Sequence, residues 1–264
     1  MPATIRKGYT DIPTGQVHYR ELRRATGLPL VLLHQTASSG AMFEGLMTLL
    51  ADDFPLLAPD TPGFGNSDPL PLPFTVSDLA EALYTALLTL GVRECYLFGH
   101  HTGAAVAVQM AFAHPGFVRR LALSGPPLLD PSQVTALLAT LPPFAIAPDG
   151  SHLTATWQRI RRRDPDLPLE TVQRELLLTQ AAGHAATTAY QAVFAQPLAE
   201  QLAALDLPVL VMAGEHDTLR SGLESAYALL RQGTLLVIPA AGPYLCDRQP
   251  EAVAAALRRF FPAA

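Results

Sequence analysis

Three observations predict an α/β fold with a mostly parallel, doubly wound sheet and one inserted helical segment. Short apolar runs of strand length alternate with helix-length segments near both ends of the chain. The stretch 125–205 contains no buried-strand run and is helical by composition. At 264 residues and 49% hydrophobic, the chain is long enough to bury a full core as one large domain. The expected organisation is therefore a core of residues 1–124 and 206–264, with residues 125–205 inserted as a helical cap.

The elements follow in order. Lys7 to Asp11 and Gln16 to Glu21 flank Pro13-Thr14-Gly15, a turn signal between two extended runs, which predicts a hairpin. Leu30-Val31-Leu32-Leu33-His34 is apolar without alternation, as in a strand buried on both faces. A helix over about Ala41 to Ala51 and a strand over Phe54 to Ala58 come next. The segment from Asp60 to Asp68 is rich in Gly, Pro, Asn and Ser and reads as a loop. Ser77 to Leu90 has helical apolar spacing and stops at Gly91. Glu94 to Phe98 reads as a strand, Thr102 to Ala113 as a helix, and Leu121 to Ser124 as another strand. Within 125–205 the breakers are Pro142-Pro143, Pro148-Asp149-Gly150 and Asp164-Pro165. Strands resume over Pro208 to Gly214 and Thr234 to Ile238, and a helix over Glu251 to Phe260 ends the pattern.

Composition narrows the function classes. A net charge of −5 without long charged blocks argues against nucleic acid as a partner. Arg161-Arg162-Arg163 is the one basic run; Asp164 and Asp166 follow it, and a solvated helix end accounts for it. No apolar run is long enough to span a bilayer, and the first eight residues lack a signal-like apolar stretch. With only Cys95 and Cys246, the former in a core strand, a disulfide is not expected and a cytoplasmic location is the default. No repeat, metal-ligand spacing or dinucleotide fingerprint is present: Gly63-Phe64-Gly65 lacks the third glycine. The expectation is a small-molecule substrate with no metal and no cofactor; oligomeric state has no signal in the sequence.

Four segments together resemble the α/β-hydrolase fold superfamily in its order. Leu32-Leu33-His34-Gln35-Thr36 resembles the His-Gly loop, and Asp60 to Asp68 resembles the Asp-x-Pro-Gly-x-Gly-x-Ser loop. Ala213 to Asp217 is similar to the loop carrying the triad acid, and Ala241 to Glu251 to the late-loop segment ending in Gln-Pro-Glu. The resemblance implies that Gly99-His100-His101-Thr102-Gly103 is the nucleophile elbow, the Gly-x-Ser-x-Gly turn between a strand and a helix. It also implies two departures. His101 stands at the serine position, and Pro243 stands where the catalytic histidine is expected; Asp217 alone keeps the family's residue. A Ser–His–Asp mechanism cannot be written for these residues.

An imidazole reaches roughly 3 Å further from its backbone than a serine hydroxyl. A histidine at the elbow can therefore fill the space of the missing imidazole, with Asp217 fixing its tautomer and the other nitrogen serving as general base. The competing reading is that His101 only packs or binds ligand. The resemblance places the oxyanion donors at the backbone amides of Thr36 and Thr102, with Gln35 adding a side-chain donor or filling space. His34 shapes its loop or faces the ligand. Trp157, His184 and Tyr190 in the cap line the ligand cavity or pack it, and Tyr244 lies beside the lost histidine. These readings point to an enzyme acting on a small, fairly apolar ester, lactone or related carbonyl compound. Lyase or isomerase chemistry on the same dyad, and a non-catalytic ligand-binding protein, are the alternatives.

Overall fold

The computed structural model describes residues 4–141 and 144–262, so the Pro142-Pro143 interruption and residues 1–3 lie outside the described residues. The strands are β1 (Arg6–Ile12), β2 (Gly15–Leu22), β3 (Leu30–Leu33), β4 (Leu56–Pro59), β5 (Cys95–His100), β6 (Val118–Ser124), β7 (Val209–Gly214) and β8 (Gly233–Ile238). They form one eight-stranded sheet in the order β1-β2-β4-β3-β5-β6-β7-β8. β1 pairs antiparallel with β2, and β2 antiparallel with β4; every other neighbour is parallel. The two-residue turn before Gly15 permits the hairpin, whereas the parallel pairs need helical crossovers.

The helices are α1 (Glu44–Leu49), α2 (Val76–Thr89), α3 (Thr102–Ala113), α4 (Pro131–Ala139), α5 (Ser151–Arg163), α6 (Leu169–Ala182), α7 (His184–Ala195), α8 (Leu198–Ala204), α9 (Leu223–Ala228), α10 (Leu245–Arg248) and α11 (Pro250–Phe260). Successive side chains of a strand point to opposite faces, so an unbroken apolar strand supplies two cores. Val31, Leu33, Leu121 and Leu123 pack with α2 and α3 on one face. Leu30, Leu32, Phe98 and Ala122 pack with α1 and α11 on the other. α4 to α8 all lie between β6 and β7 in the chain.

The structure adds the short helices α9 and α10, shifts β4 and β5 toward their C-terminal ends, and differs from the sequence reading most in two further elements. The helix expected over Ala41 to Ala51 is a 3-10 turn, Gly40–Phe43, followed by α1. Gly40 lies against the backbone of Ala58 and donates its amide to Asp60 Oδ1 at 2.7 Å, which anchors the turn before the α-helix starts. β6 begins at Val118 rather than Leu121, because Arg119 and Arg120 occupy its solvent-facing end. The Arg120 guanidinium donates to the Phe260 carbonyl at 2.9 Å.

Asp60, at the end of β4, organises the loop that follows. Its buried carboxylate accepts from His18 Nδ1, from Arg20, and from the amides of Gly40 and Asn66. Burial alone raises this carboxyl, but His18 and the amide donors hold it below the usual range.

Candidate active site

The turn between β5 and α3 sets His101 apart. Its backbone lies at φ 51° and ψ −110°, a region that costs a non-glycine residue about 1–3 kcal/mol. The elbow can close because Gly99 and Gly103 have no side chain: a Cβ on Gly99 meets the Gly103 carbonyl, and one on Gly103 meets the Leu33 carbonyl. The His101 amide donates to the Ser124 carbonyl at 2.8 Å, tying the tip to β6. A strained residue is held rigidly where β5, β6 and α3 meet.

From that tip the imidazole reaches Asp217, in the loop after β7. His101 Nε2 lies 2.9 Å from Asp217 Oδ2 and 3.1 Å from Oδ1. Leu219 donates its amide to Oδ1 at 2.8 Å. Burial alone raises the Asp217 carboxyl; the facing His101, with His100 and the Leu219 amide, instead holds it at about 2. Asp217 is therefore an acceptor at neutral pH, so Nε2 carries the proton and donates it. Nδ1 is left with its lone pair. No described residue hydrogen-bonds it, and the His101 side chain lines a gap beside the elbow.

Gly125 makes room for this pair. It follows β6 at φ +57°, and a Cβ there falls 2.5 Å from His101 Cδ2, 2.7 Å from Nε2 and 3.2 Å from Asp217 Oδ2. The imidazole and carboxylate thus occupy the volume of an absent side chain.

His100 supports the ring from behind. The two imidazoles stack with centroids 4.0 Å apart and planes 22° apart. His100 Nε2 lies 3.0 Å from the Pro243 carbonyl, which can only accept, so Nε2 carries the proton. Nδ1 then accepts from the Ser124 hydroxyl at 2.9 Å. Burial, with the like charge of His101, pushes His100 down to about 3 against the smaller effect of Asp217. It is a neutral strut joining β5, β6 and the late loop.

The loop after β3 faces the elbow. Thr36 Oγ1 donates to Thr102 Oγ1 at 2.7 Å, so the two expected oxyanion residues are neighbours. Neither of their backbone amides donates to a described protein acceptor. Gln35 and Thr36 line the gap of about 40 Å³ above His101, a volume that admits a water molecule. His34 does not line it. Its Nδ1 donates to the Gln35 carbonyl at 2.8 Å and its Nε2 accepts from the Thr61 amide at 2.8 Å, so it shapes the loop from inside.

A larger cavity of about 430 Å³ adjoins the gap, lined by residues of α5, α6 and α7 and by the loop after β3. Gln35, Thr36, Arg163, Tyr190 and Tyr244 border both spaces. Arg159 and Glu175 line the larger one. This wall is more polar than the expected apolar ligand implies, because Arg159 lies on it together with Arg162 and Arg163 of the run expected to be a solvated helix end. Burial raises the Glu175 carboxyl, against the lowering effect of Arg174, whose guanidinium also forks onto Asp247 at 2.9 Å. Ser38 donates to Glu175 at 2.9 Å, linking α6 to the loop after β3.

Comparison with known proteins decides the family. The model described as alpha/beta hydrolase fold matches residues 29–250. The chain belongs to the α/β-hydrolase family.

This α/β hydrolase is 26% identical over 272 residues to the 2-(acetamidomethylene)succinate hydrolase of Mesorhizobium japonicum, covering 96% of the chain and 94% of that protein. It is 37% identical over 128 residues to a 2-hydroxy-6-oxononadienedioate/2-hydroxy-6-oxononatrienedioate hydrolase of Pseudomonas putida, covering 47% of the chain and 43% of that protein. The crystal structure of a hydrolase from Pseudomonas aeruginosa PA01 superposes with a TM-score of 0.82 at 24% identity, covering 97% and 98% of the two chains. That last likeness concerns the fold alone.

Of the residues selected from sequence, the fold of this α/β hydrolase brings together His101, Asp217, Thr36, Thr102, Gln35 and Tyr244. Trp157 stands apart. It packs with Ile160, Leu167, Val172 and Tyr244 in a small apolar cluster and is not a cavity-lining residue. His184 is exposed and edge-on to Phe144. Sequence reasoning missed Gly125, Arg159 and Arg163. The glycine closing β6 before Pro126-Pro127 was one available signal, and the four-residue spacing of Arg159 and Arg163 on one helix was the other.

Proposed function

We propose that this α/β hydrolase is a cofactor-independent enzyme that cleaves a small ester, lactone or related carbonyl compound with a His101–Asp217 general-base dyad. The observation carrying this reading is the 2.9 Å contact between Nε2 and Oδ2, which leaves the Nδ1 lone pair without a described hydrogen-bond partner. Nδ1 takes a proton from a water as its oxygen adds to the substrate carbonyl carbon. The resulting oxyanion accepts from the Thr36 and Thr102 amides. The intermediate then expels the alcohol, which receives the proton back from the imidazolium that Asp217 has stabilised. In this reading residues 125–205 act as the cap over the site, and residues 1–124 with 206–264 as the core. The small-molecule hydrolases among the relatives support the reaction class.

The test is turnover of a panel of p-nitrophenyl esters and lactones by the parent, His101→Ala and Asp217→Asn. Hydrolysis by the parent with its loss in both folded variants is the expected result. Activity that survives His101→Ala removes the base assignment. A lyase or isomerase step is the second reading, because a base beside two oxyanion donors also serves an enolate. Exchange of a substrate C–H for solvent deuterium without hydrolysis favours it.

A further inference from the structure

Within that reading, we infer that Arg159 and Arg163 form a carboxylate-binding subsite, so that the substrate carries a carboxylate away from the bond that reacts. The run Arg161-Arg162-Arg163 reads as a solvated helix end, yet α5 divides it. Arg161 turns away and donates to the Leu167 carbonyl at 3.0 Å, and Arg162, though it also lines the cavity, is exposed at its edge. Arg159 and Arg163, four residues apart on one helical face, both line the cavity of about 430 Å³.

These guanidiniums lack counter-charges. The nearby carboxylates are engaged elsewhere: Glu175 and Asp247 with Arg174, and Asp164 with Arg248. Among the described residues, neither Arg159 nor Arg163 makes an ion pair. Burial, together with the like charge of Arg163, lowers the Arg159 guanidinium. Burial opposes the Arg163 guanidinium too, but the neighbouring Tyr190 and Tyr244 hydroxyls outweigh it and raise it. Arg159 is therefore the less compensated cation on this cavity wall, and an anion between the two offsets their repulsion.

Position indicates what the anion belongs to. Arg163 borders both the larger cavity and the gap above His101. An anion seated between the arginines therefore belongs to a molecule that extends toward Nδ1. A planar carboxylate suits the guanidinium fork. The Glu175 carboxylate in the same cavity disfavours a dianionic phosphoryl group.

The probe is glutarate, which nothing in the proposed mechanism cleaves, titrated calorimetrically into the 264-residue parent and into Arg159→Gln, Arg163→Gln, Arg163→Lys and Arg119→Gln. Each Arg-to-Gln change in the cavity weakens binding about 10- to 100-fold, and Arg163→Lys recovers part of the loss. Arg119→Gln, on the surface beside Glu94, leaves binding unchanged. Monomethyl glutarate is hydrolysed with at least ~10-fold higher kcat/KM than dimethyl glutarate. Glutarate affinity unchanged by both cavity substitutions, in variants with native melting curves, overturns the subsite. So does phosphate binding more tightly than glutarate. Glutarate binding without turnover of any ester keeps the subsite and rejects the proposed reaction; hydrolysis of both glutarate esters at equal rates does the reverse.

Discussion

Replacing Gly125 by alanine tests the proposed His101–Asp217 dyad without substituting either member. The added Cβ falls 2.5 Å from His101 Cδ2 and 2.7 Å from Nε2, about 1 Å inside ordinary contact. His101 cannot retreat through its backbone, because the elbow is fixed by the Ser124 carbonyl and by the close approach of Gly99 to Gly103. The ring must rotate, and the Nε2–Oδ2 hydrogen bond breaks. Alanine at positive φ costs about 1–2 kcal/mol, and overpacking adds about 1–3 kcal/mol. A displacement near 1 Å at a reacting group costs about 100-fold in rate. Gly116→Ala separates the two effects: it carries the same kind of backbone cost at φ +89° with no atom within 4 Å of the new Cβ. The assay is kcat/KM on an ester that the parent turns over, with thermal melts of the parent and both variants. Gly125→Ala is expected to lose about 100-fold in kcat/KM, and Gly116→Ala to lose only stability. Gly125→Ala combined with Asp217→Asn is expected to be little worse than Asp217→Asn alone, since both remove one contact. A folded Gly125→Ala protein with parental kcat/KM refutes the reasoning.

Three further outcomes follow from the same geometry. In the proposed mechanism Asp217→Asn removes the charge that supports the imidazolium, so kcat is expected to fall far more than KM rises; a change confined to KM contradicts the proposed dyad. His100, held at about 3 against an ordinary 6.5, makes the unfolded chain bind more protons than the folded one in this interval. Its contribution to stability is complete above pH 6.5 and is lost as pH falls toward 3, at up to about 1.4 kcal/mol per pH unit; urea titrations should find this limb flattened in His100→Gln. Arg174→Ala strands Glu175 and Asp247 as unpaired buried carboxylates and is expected to cost about 3–5 kcal/mol in denaturant unfolding, whereas a loss below about 1 kcal/mol places the pair in solvent.

The sequence determined the fold because its signals are local. Unbroken apolar runs such as Leu30–Leu33 and Val209–Gly214 declare strands buried on both faces, and the Gly99-to-Gly103 spacing declares a tight turn between strand and helix. It also named the members of the candidate pair, since His101, Pro243 and Asp217 stand out against the order of the motifs. Charge and composition were weaker guides: Arg163 within a basic run looks solvated until α5 turns one side of that run toward a cavity. Only the tertiary structure decided what the pair rests in. His101 and Asp217 lie 116 positions apart, and the distance between them depends on the sheet order that sets β7 beside β6. The space they occupy depends on Gly125, whose positive φ and missing Cβ matter only once β5, β6 and the loop after β7 converge. Patterns along a chain encode which face is buried. The volume left between three segments is a property of their packing.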